Sequence, residues 1–266
     1  FYDSEYRLLY DGNEDYAKTR FESQKEKGKE VYGYLHNTIP NKLDGSDVLD
    51  IGCGPGGMPA YFQSEGHRVA GCDLDSNAVT YGKNQGIPLQ EGTVEEIDLD
   101  WKPDIVILSH VVEHFLSPVE DLIQVRELIH ENSVVYIELP GINWLSPFRT
   151  YYNSDFLEQL QNAHTYYFTA RSLENLLTKA GFESIEIDES IQSVFTPSKN
   201  GDDTEFESDY PAVVDHLNRL EKWKQWGISP IPTSLHSLYT HPAFISLLKR
   251  TGVYPYARKF YHRLHS

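Results

Sequence analysis

The sequence predicts a doubly wound α/β domain, with a mostly parallel sheet and helices on both faces. Two observations carry that expectation. Between residues 46 and 190, short and nearly continuous β-branched runs alternate with amphipathic stretches. That is the pattern of strands covered on both sides, joined through helices. The first run opens directly into a glycine-dense turn, Gly52-Cys53-Gly54-Pro55-Gly56-Gly57. In doubly wound sheets ligands bind beyond the carboxyl ends of the strands, so this turn marks the functional edge.

Taken in order, residues 1–45 are polar, Tyr-rich and helical in pattern, and are expected to form an N-terminal helical cap. The core is expected over residues 46–190. Its strands are Val48-Leu49-Asp50-Ile51, Val69-Ala70-Gly71-Cys72-Asp73, a short one near Pro88-Leu89-Gln90, Ile105 to Leu108, and Val134-Val135-Tyr136-Ile137. Ser117 is expected to cap a helix, with Pro118 at its first position and Glu120 closing a capping box. The inward face of that helix reads as Val119, Leu122, Ile123, Leu128 and Ile129. A further helix begins at Thr169 or Ser172, turns Leu173, Leu176, Leu177 and Ala180 inward, and stops at Gly181. Residues 191–266 are expected to be a C-terminal extension, an acidic loop followed by basic, aromatic helices.

Composition bounds the function. The chain has 266 residues, 39% hydrophobic and 24% charged, enough apolar material for a packed core. Its longest unbroken aliphatic run is Ile105 to Leu108, far short of the ~20 residues of a membrane span. Two cysteines, Cys53 and Cys72, make no disulfide framework and point to a reducing, cytoplasmic setting. The chain opens at Phe1 rather than Met, so a native start upstream is expected. A net charge of −17 argues against a nucleic-acid partner, which needs basic surface. The charge is uneven. Residues 241–266 hold five Lys or Arg and no acid, against 18 basic and 40 acidic residues in 1–240, a body of −22. The basic tail either docks on that body or makes a peripheral contact with an anionic membrane surface.

Gly52, Gly54 and Gly57 satisfy GxGxxG, a weak signal alone. Two acids sharpen it. Asp50 precedes the first glycine by two residues, and Asp73 ends the next strand, 17 residues after Gly56. A carboxylate only accepts hydrogen bonds, so Asp73 is suited to hold both hydroxyls of a ribose. The alternative is a dinucleotide fingerprint, whose pyrophosphate needs an unobstructed helix N-terminus. Asp50 places negative charge at that mouth, which disfavours a diphosphate.

The stretches VLDIGCGPGG, VAGCDLD, PDIVILSHVVEHFLSPVEDL and VVYIELP, in this order, resemble the successive motifs of class I S-adenosylmethionine-dependent methyltransferases. YYFTARSLENLLTKAGFESIEI resembles the continuation after their fifth strand. The resemblance implies a Rossmann-like sheet of seven strands and S-adenosylmethionine as cofactor, with S-adenosylhomocysteine as product. It implies that Gly52, Gly54 and Gly56 line the methionine end of the cofactor, with Asp50 and Cys53 alongside. Asp73 would hold the ribose, Leu74 would pack on the adenine, and Thr93 and Val94 would meet the adenine edge. Ser109 and His110 would lie beside the reacting methyl.

Candidates for acceptor chemistry follow the fourth strand. A one-turn spacing places His110, Glu113 and His114 on one helical face. His110 is a candidate general base, since imidazole titrates near working pH. The triplet also resembles the ExxEH stretch of ubiquinone-type O-methyltransferases, which is associated with a divalent metal. Here His110 stands where that pattern has an acid. One carboxylate and two imidazoles suit a transition-type ion better than Mg²⁺. Proton acceptor, metal ligands and simple packing of the turn all stay open. His164 is the second candidate base.

Trp144, Phe148, Tyr151, Tyr152, Phe156, Tyr166, Tyr167 and Phe168 make a dense aromatic stretch. It reads either as a platform for a flat or sugar-like acceptor or as packing of an insertion. The opening Phe1 to Tyr10 resembles the EYR start of methyltransferases of polysaccharide and capsule assembly, which implies that Tyr6, Arg7 and Tyr10 cover the cofactor or acceptor. The expected reaction is O-methylation of a sugar or glycan hydroxyl. The alternatives are a phenolic or quinone-like small-molecule acceptor, and a non-catalytic S-adenosylmethionine-binding partner subunit.

Overall fold

The structure is a computed structural model that describes residues 14–145, 163–198 and 206–225. The chain divides into two compact units, residues 1–140 with 163–207, and residues 141–162 with 208–266. The expected boundary at residue 190 falls inside the first unit, because the strand after it belongs to the same sheet.

The first unit is built on a seven-stranded sheet. In chain order its elements are α1 (Glu14–Thr38), α2 (Pro40–Leu43), β1 (Asp47–Ile51), α3 (Gly57–Ser64), β2 (Arg68–Asp73), α4 (Ser76–Asn84), β3 (Leu89–Glu91), β4 (Ile105–Ser109), α5 (Pro118–Leu128), β5 (Val134–Glu138), α6 (Ala170–Lys179), β6 (Phe182–Ile187) and β7 (Gln192–Pro197). The strand order is β3-β2-β1-β4-β5-β7-β6. Neighbours from β3 to β5 are parallel, while β7 runs antiparallel to both β5 and β6. The four apolar runs of the sequence are the four central strands. Val48, Leu49, Val106, Ile107, Val134, Val135 and Tyr136 are wholly buried, as strands covered on both faces must be. The edge strand β6 differs: Glu183, Ser184, Ile185 and Glu186 are exposed, and charge on an exposed edge discourages pairing with another chain.

Two apolar layers sandwich the sheet. One packs α5 and α6 through Leu122, Val125, Ile129, Leu173 and Leu177. The other packs α1 and α3 through Phe21, Val31, Leu35, Met58 and Phe62. Two local expectations are corrected. Ser117 makes no side-chain cap; instead its own N–H donates to Asp121 Oδ2 at 3.3 Å. Ile123 is exposed and Val125 takes its place inward, because the helix starts at Pro118 and this phase turns 122, 125 and 129 to the core. The start of α6 is as expected: Thr169 and Ser172 form a reciprocal capping box, and Gly181 leaves the helix at φ +83°.

In the second unit the described residues comprise a 3₁₀ turn, Ile142–Trp144, and α7 (Tyr210–Gln225). Tyr6, Arg7, Tyr10, Tyr152, the side chain of Trp144 and the basic tail lie outside the described residues. Among the described residues, no helix is long and apolar enough to cross a membrane.

Candidate active site

The carboxyl ends of β1, β2 and β4 hold polar residues singled out in the sequence. The glycine turn leaves β1 along a path that requires left-handed backbone. Gly52, Gly54 and Gly56 have φ of +72°, +53° and +80°, which side chains with a Cβ rarely adopt. Gly52 and Cys53 both donate their N–H to Cys72 O, at 2.8 and 3.1 Å, so the turn is fastened to β2 as it forms.

Asp73 is the second fastening. Its Oδ2 accepts the Gly54 N–H at 2.6 Å and its Oδ1 accepts the Asp75 N–H at 2.8 Å. Asp75 in turn caps α4 by accepting from Asn77 and Ala78. Each carboxylate oxygen has a second lone-pair direction, so this bracing leaves Asp73 able to accept from a ligand. Leu74, next along the chain, is 54% exposed at the rim, an unusual setting for a large apolar side chain.

Asp50 lies in the adjacent strand end at 3% exposure. Burial pushes its carboxyl well above the usual carboxylate range, and the charge of Asp73 pushes it further. Burial also pushes the Cys53 thiol well up and that of Cys72 up to about 12, so both stay neutral and act as small apolar packing. The turn therefore combines an open backbone with two acids, one held down in the protein. Such a site disfavours a diphosphate. Thr93 and Val94 follow β3, where Glu96 Oε2 accepts the Thr93 N–H at 2.9 Å and Val94 is buried.

Helix α1, part of the expected N-terminal cap, covers this turn through residues that the sequence did not single out. Gln24 Oε1 accepts the Gly57 N–H at 3.3 Å. A Cβ placed on Gly54 would meet Gln24 and the Arg20 guanidinium at 3.1 and 3.4 Å. Lys27 reaches the end of β5 and pairs with Glu138 Oε1 at 2.6 Å. Burial works against the Lys27 charge, but the Glu138 and Glu30 carboxylates outweigh it and raise its pKa. Glu138 Oε2 also accepts the Tyr136 hydroxyl at 2.9 Å. Glu138 ends an otherwise apolar strand, a position that the topology rule already marks; α1 is too polar to have announced its role.

Ser109 closes β4, and His110 follows with φ +56°, its N–H donated to Glu138 O at 2.7 Å. This turn corrects the expected single helical face. Residues 112–114 form a 3₁₀ turn and His110 precedes it. His110 Nδ1 nevertheless lies 3.4 Å from Glu113 Oε1, out of hydrogen-bonding alignment. Partial burial pulls the His110 pKa down, but Glu113 and Glu138 raise it by more, against Lys27. Glu113 is 1% exposed, and neither of its carboxylate oxygens accepts a hydrogen bond.

The residues brought together around Glu113 differ from the triplet in the sequence. Its metal-competent neighbours are His114 and His164, with one potential ligand atom of each residue within 4.8 Å of the others. His110 stands outside that group. His114 Nδ1 meets Ala163 O at 2.8 Å, and the His114 and His164 rings lie 4.9 Å apart, edge to face. Burial lowers the His164 pKa, and the neighbouring His114 and His110 lower it further, against Glu113. Tyr166 is 37% exposed and packs near Phe168, with ring centroids 6.0 Å apart.

A profile of a methyltransferase-domain family matches residues 22–187, more than half of the chain. The chain belongs to the class I S-adenosylmethionine-dependent methyltransferase family. A probable S-adenosylmethionine-dependent methyltransferase of Mycolicibacterium smegmatis is 26% identical to it over 152 residues, 56% of each protein. The ubiquinone biosynthesis O-methyltransferase of Rickettsia conorii is 30% identical over 105 residues, 37% of this chain and 36% of that protein. The methyltransferase thus spans about half or less of the length of these relatives. Solved structures share the fold. The CcbJ methyltransferase of Streptomyces caelestis superposes with a TM-score of 0.51 at 14% identity, over 66% of this chain and 90% of that one. Magnesium protoporphyrin IX methyltransferase of Synechocystis superposes with a TM-score of 0.50 at 17% identity, over 73% and 93%.

Proposed function

We propose that the protein is an S-adenosylmethionine-dependent O-methyltransferase acting on a hydroxyl of a small molecule. The single observation behind this reading is the pairing of the β1–β2 cradle with a half-exposed histidine backed by a buried carboxylate, His110 and Glu113, at the end of β4. The residues suit the cofactor. Two acids at adjacent strand ends favour its cationic methionine end, Asp73 has acceptor capacity for a ribose, and Leu74 offers an apolar rim surface for the base. Gly52, Gly54 and Gly56 with Asp50 and Cys53 would line the methionine end, and Thr93 and Val94 the base. When bound, the cofactor supplies an electrophilic methyl on a sulfonium.

The chain's own part is alignment and proton removal. Held by the glycine turn and Asp73, the cofactor would present its methyl for in-line transfer to an acceptor oxygen, leaving a neutral thioether. His110 Nδ1 faces Glu113, so Nε2 is the nitrogen that takes the hydroxyl proton, and the buried carboxylate stabilises the imidazolium. The left-handed backbone at His110, fixed by its N–H to Glu138 O, aims the ring. His164 stands by as a second proton acceptor.

The relatives favour a phenolic or quinone-like acceptor, since the matching ubiquinone biosynthesis enzymes are O-methyltransferases. A sugar or glycan hydroxyl is the competing acceptor, and the aromatic residues that suggested it lie mostly outside the described ones. The test is S-adenosylhomocysteine production with catechol, phenol and sugar acceptors. With the accepted substrate, His110→Ala is expected to lower kcat by about 10²–10⁴-fold, the range of general-base catalysis, with cofactor affinity unchanged. Cofactor binding without turnover on any hydroxyl would overturn the reading in favour of a non-catalytic partner subunit.

A further inference from the structure

We infer that Lys27 and Glu138 are positioning residues, an ion pair through which helix α1 sets the backbone that holds His110. Three observations, all within the first unit, carry this. The first is the stripe that α1 turns towards the carboxyl ends of the strands. Gln24, Lys27 and Tyr34 fall on one helical face. Gln24 Oε1 accepts the Gly57 N–H at 3.3 Å, at the end of the glycine turn. Lys27 Nζ lies 2.6 Å from Oε1 of Glu138, the last residue of β5. The Tyr34 hydroxyl donates at 3.1 Å to the carbonyl of Gln192, the register partner of Glu138 in β7. One helix face thus touches the glycine turn at one end and the β5–β7 pair at the other.

The second observation is what Glu138 holds with its backbone. Its carbonyl oxygen accepts the His110 N–H at 2.7 Å. His110 has φ +56°, a left-handed conformation that a residue with a Cβ keeps only where its surroundings over-determine it. Strand ends fray unless they are tied down, so the side-chain contacts of Glu138 decide how firmly that carbonyl is held.

The third observation is that the pair is largely withdrawn from water. The Glu138 side chain is 13% exposed and that of Lys27 30%. Glu138 Oε2 accepts the Tyr136 hydroxyl at 2.9 Å, so both carboxylate oxygens are engaged. Lys27 also reaches Glu30 on its own helix, at 3.3 Å. A fully exposed ion pair contributes little, but removing one partner of a largely buried pair leaves an uncompensated charge. Without Lys27 the carboxylate turns towards water and loosens the end of β5 with it. That this alignment serves proton removal rests on the O-methyltransferase reading; that the pair sets the His110 backbone does not.

The test follows amide exchange by NMR in the full chain without cofactor or acceptor. Lys27→Met removes the charge and keeps most of the stem, while Lys27→Arg keeps the charge. In Lys27→Met the His110 amide should exchange about 3- to 10-fold faster, the factor for loosening one hydrogen bond. Val106 and Val135, inside β4 and β5, should stay within about twofold. Lys27→Arg should exchange as the wild-type chain does. Glu138→Gln should match Lys27→Met, and the double variant should be no faster than either, because both act through one contact. Equal His110 exchange in wild type and Lys27→Met overturns the inference. An acceleration shared by Val106 and Val135, which marks general destabilisation, also overturns it, as does a Lys27→Arg chain as fast as Lys27→Met. With an accepted hydroxyl substrate, Lys27→Met should lower kcat by about 10- to 100-fold with KM unchanged, and Lys27→Arg should restore it. A chain inactive on every hydroxyl acceptor that still shows this exchange pattern refutes the proposed reaction and keeps the pair. An active chain whose kcat and His110 exchange ignore Lys27 keeps the reaction and refutes the pair.

Discussion

At the scale of single residues, Asp73 joins an observed role to a proposed one. Its carboxylate holds the glycine turn through the Gly54 N–H and is the ribose acceptor of the proposed function. Asp73→Asn keeps the side-chain volume but swaps one acceptor oxygen for a donor facing backbone N–H groups. Loss of a hydrogen bond to a charged group is worth about 1.5–3 kcal/mol. Calorimetry of S-adenosylhomocysteine binding should therefore show roughly a 10- to 150-fold loss of affinity, and unchanged affinity would remove Asp73 from the cofactor site. This residue was legible in the sequence because an acid ending the second strand is a local pattern. The company of Glu113 was not. His164 lies some 50 residues further on, and only Glu113 O, which accepts the Thr165 and Tyr166 N–H groups, closes that gap. His110 was legible as a residue but not as a conformation, because a histidine at φ +56° follows no helical spacing.

Among elements, the central strands were readable from their uninterrupted apolar runs, and α6 from its capping residues. Helix α1 was readable as a helical cap, but not which of its residues reach the glycine turn. Its contact with the turn is made by backbone and by polar side chains, which leave no hydrophobic signature. The crossing of α1 with α3 depends on small residues at two places. A Cβ on Gly28 would lie 2.9 Å from Tyr61 Cβ, and a Cβ on Gly57 only 2.0 Å from the Phe21 carbonyl oxygen. Backbone cannot yield as a flexible side chain does. Gly57→Ala is thus expected to destabilise the protein by about 1–3 kcal/mol, the usual cost of overpacking, read as a lower denaturant midpoint. Amide exchange should quicken in α1 before it does in β4. An unshifted midpoint would show that α1 does not bear on the turn at this point.

For the molecule as a whole, the buried acid at the end of β1 links folding, ligand binding and pH. The folded-state pKa of Asp50 is raised, by burial first and by Asp73 second. A carboxyl raised in the folded state binds its proton more tightly there than in the unfolded chain. Its contribution to stability is complete below the unfolded-state pKa and falls as pH rises towards the folded-state value. Most paired carboxylates act in the opposite sense, so the comparison with a variant is needed to isolate this group. Asp50→Asn removes the titration while keeping the shape, and should flatten the stability profile at pH values above the ordinary carboxylate pKa. A cationic ligand reverses the local balance, because a nearby positive charge favours the ionised carboxyl. The rise in Tm given by saturating S-adenosylhomocysteine, whose amino group is cationic, should therefore grow with pH in the wild-type chain. In Asp50→Asn it should stay nearly constant. Equal pH dependence in the two proteins would mean that the ligand's cationic end lies away from β1, and the cradle as drawn would not be the binding site.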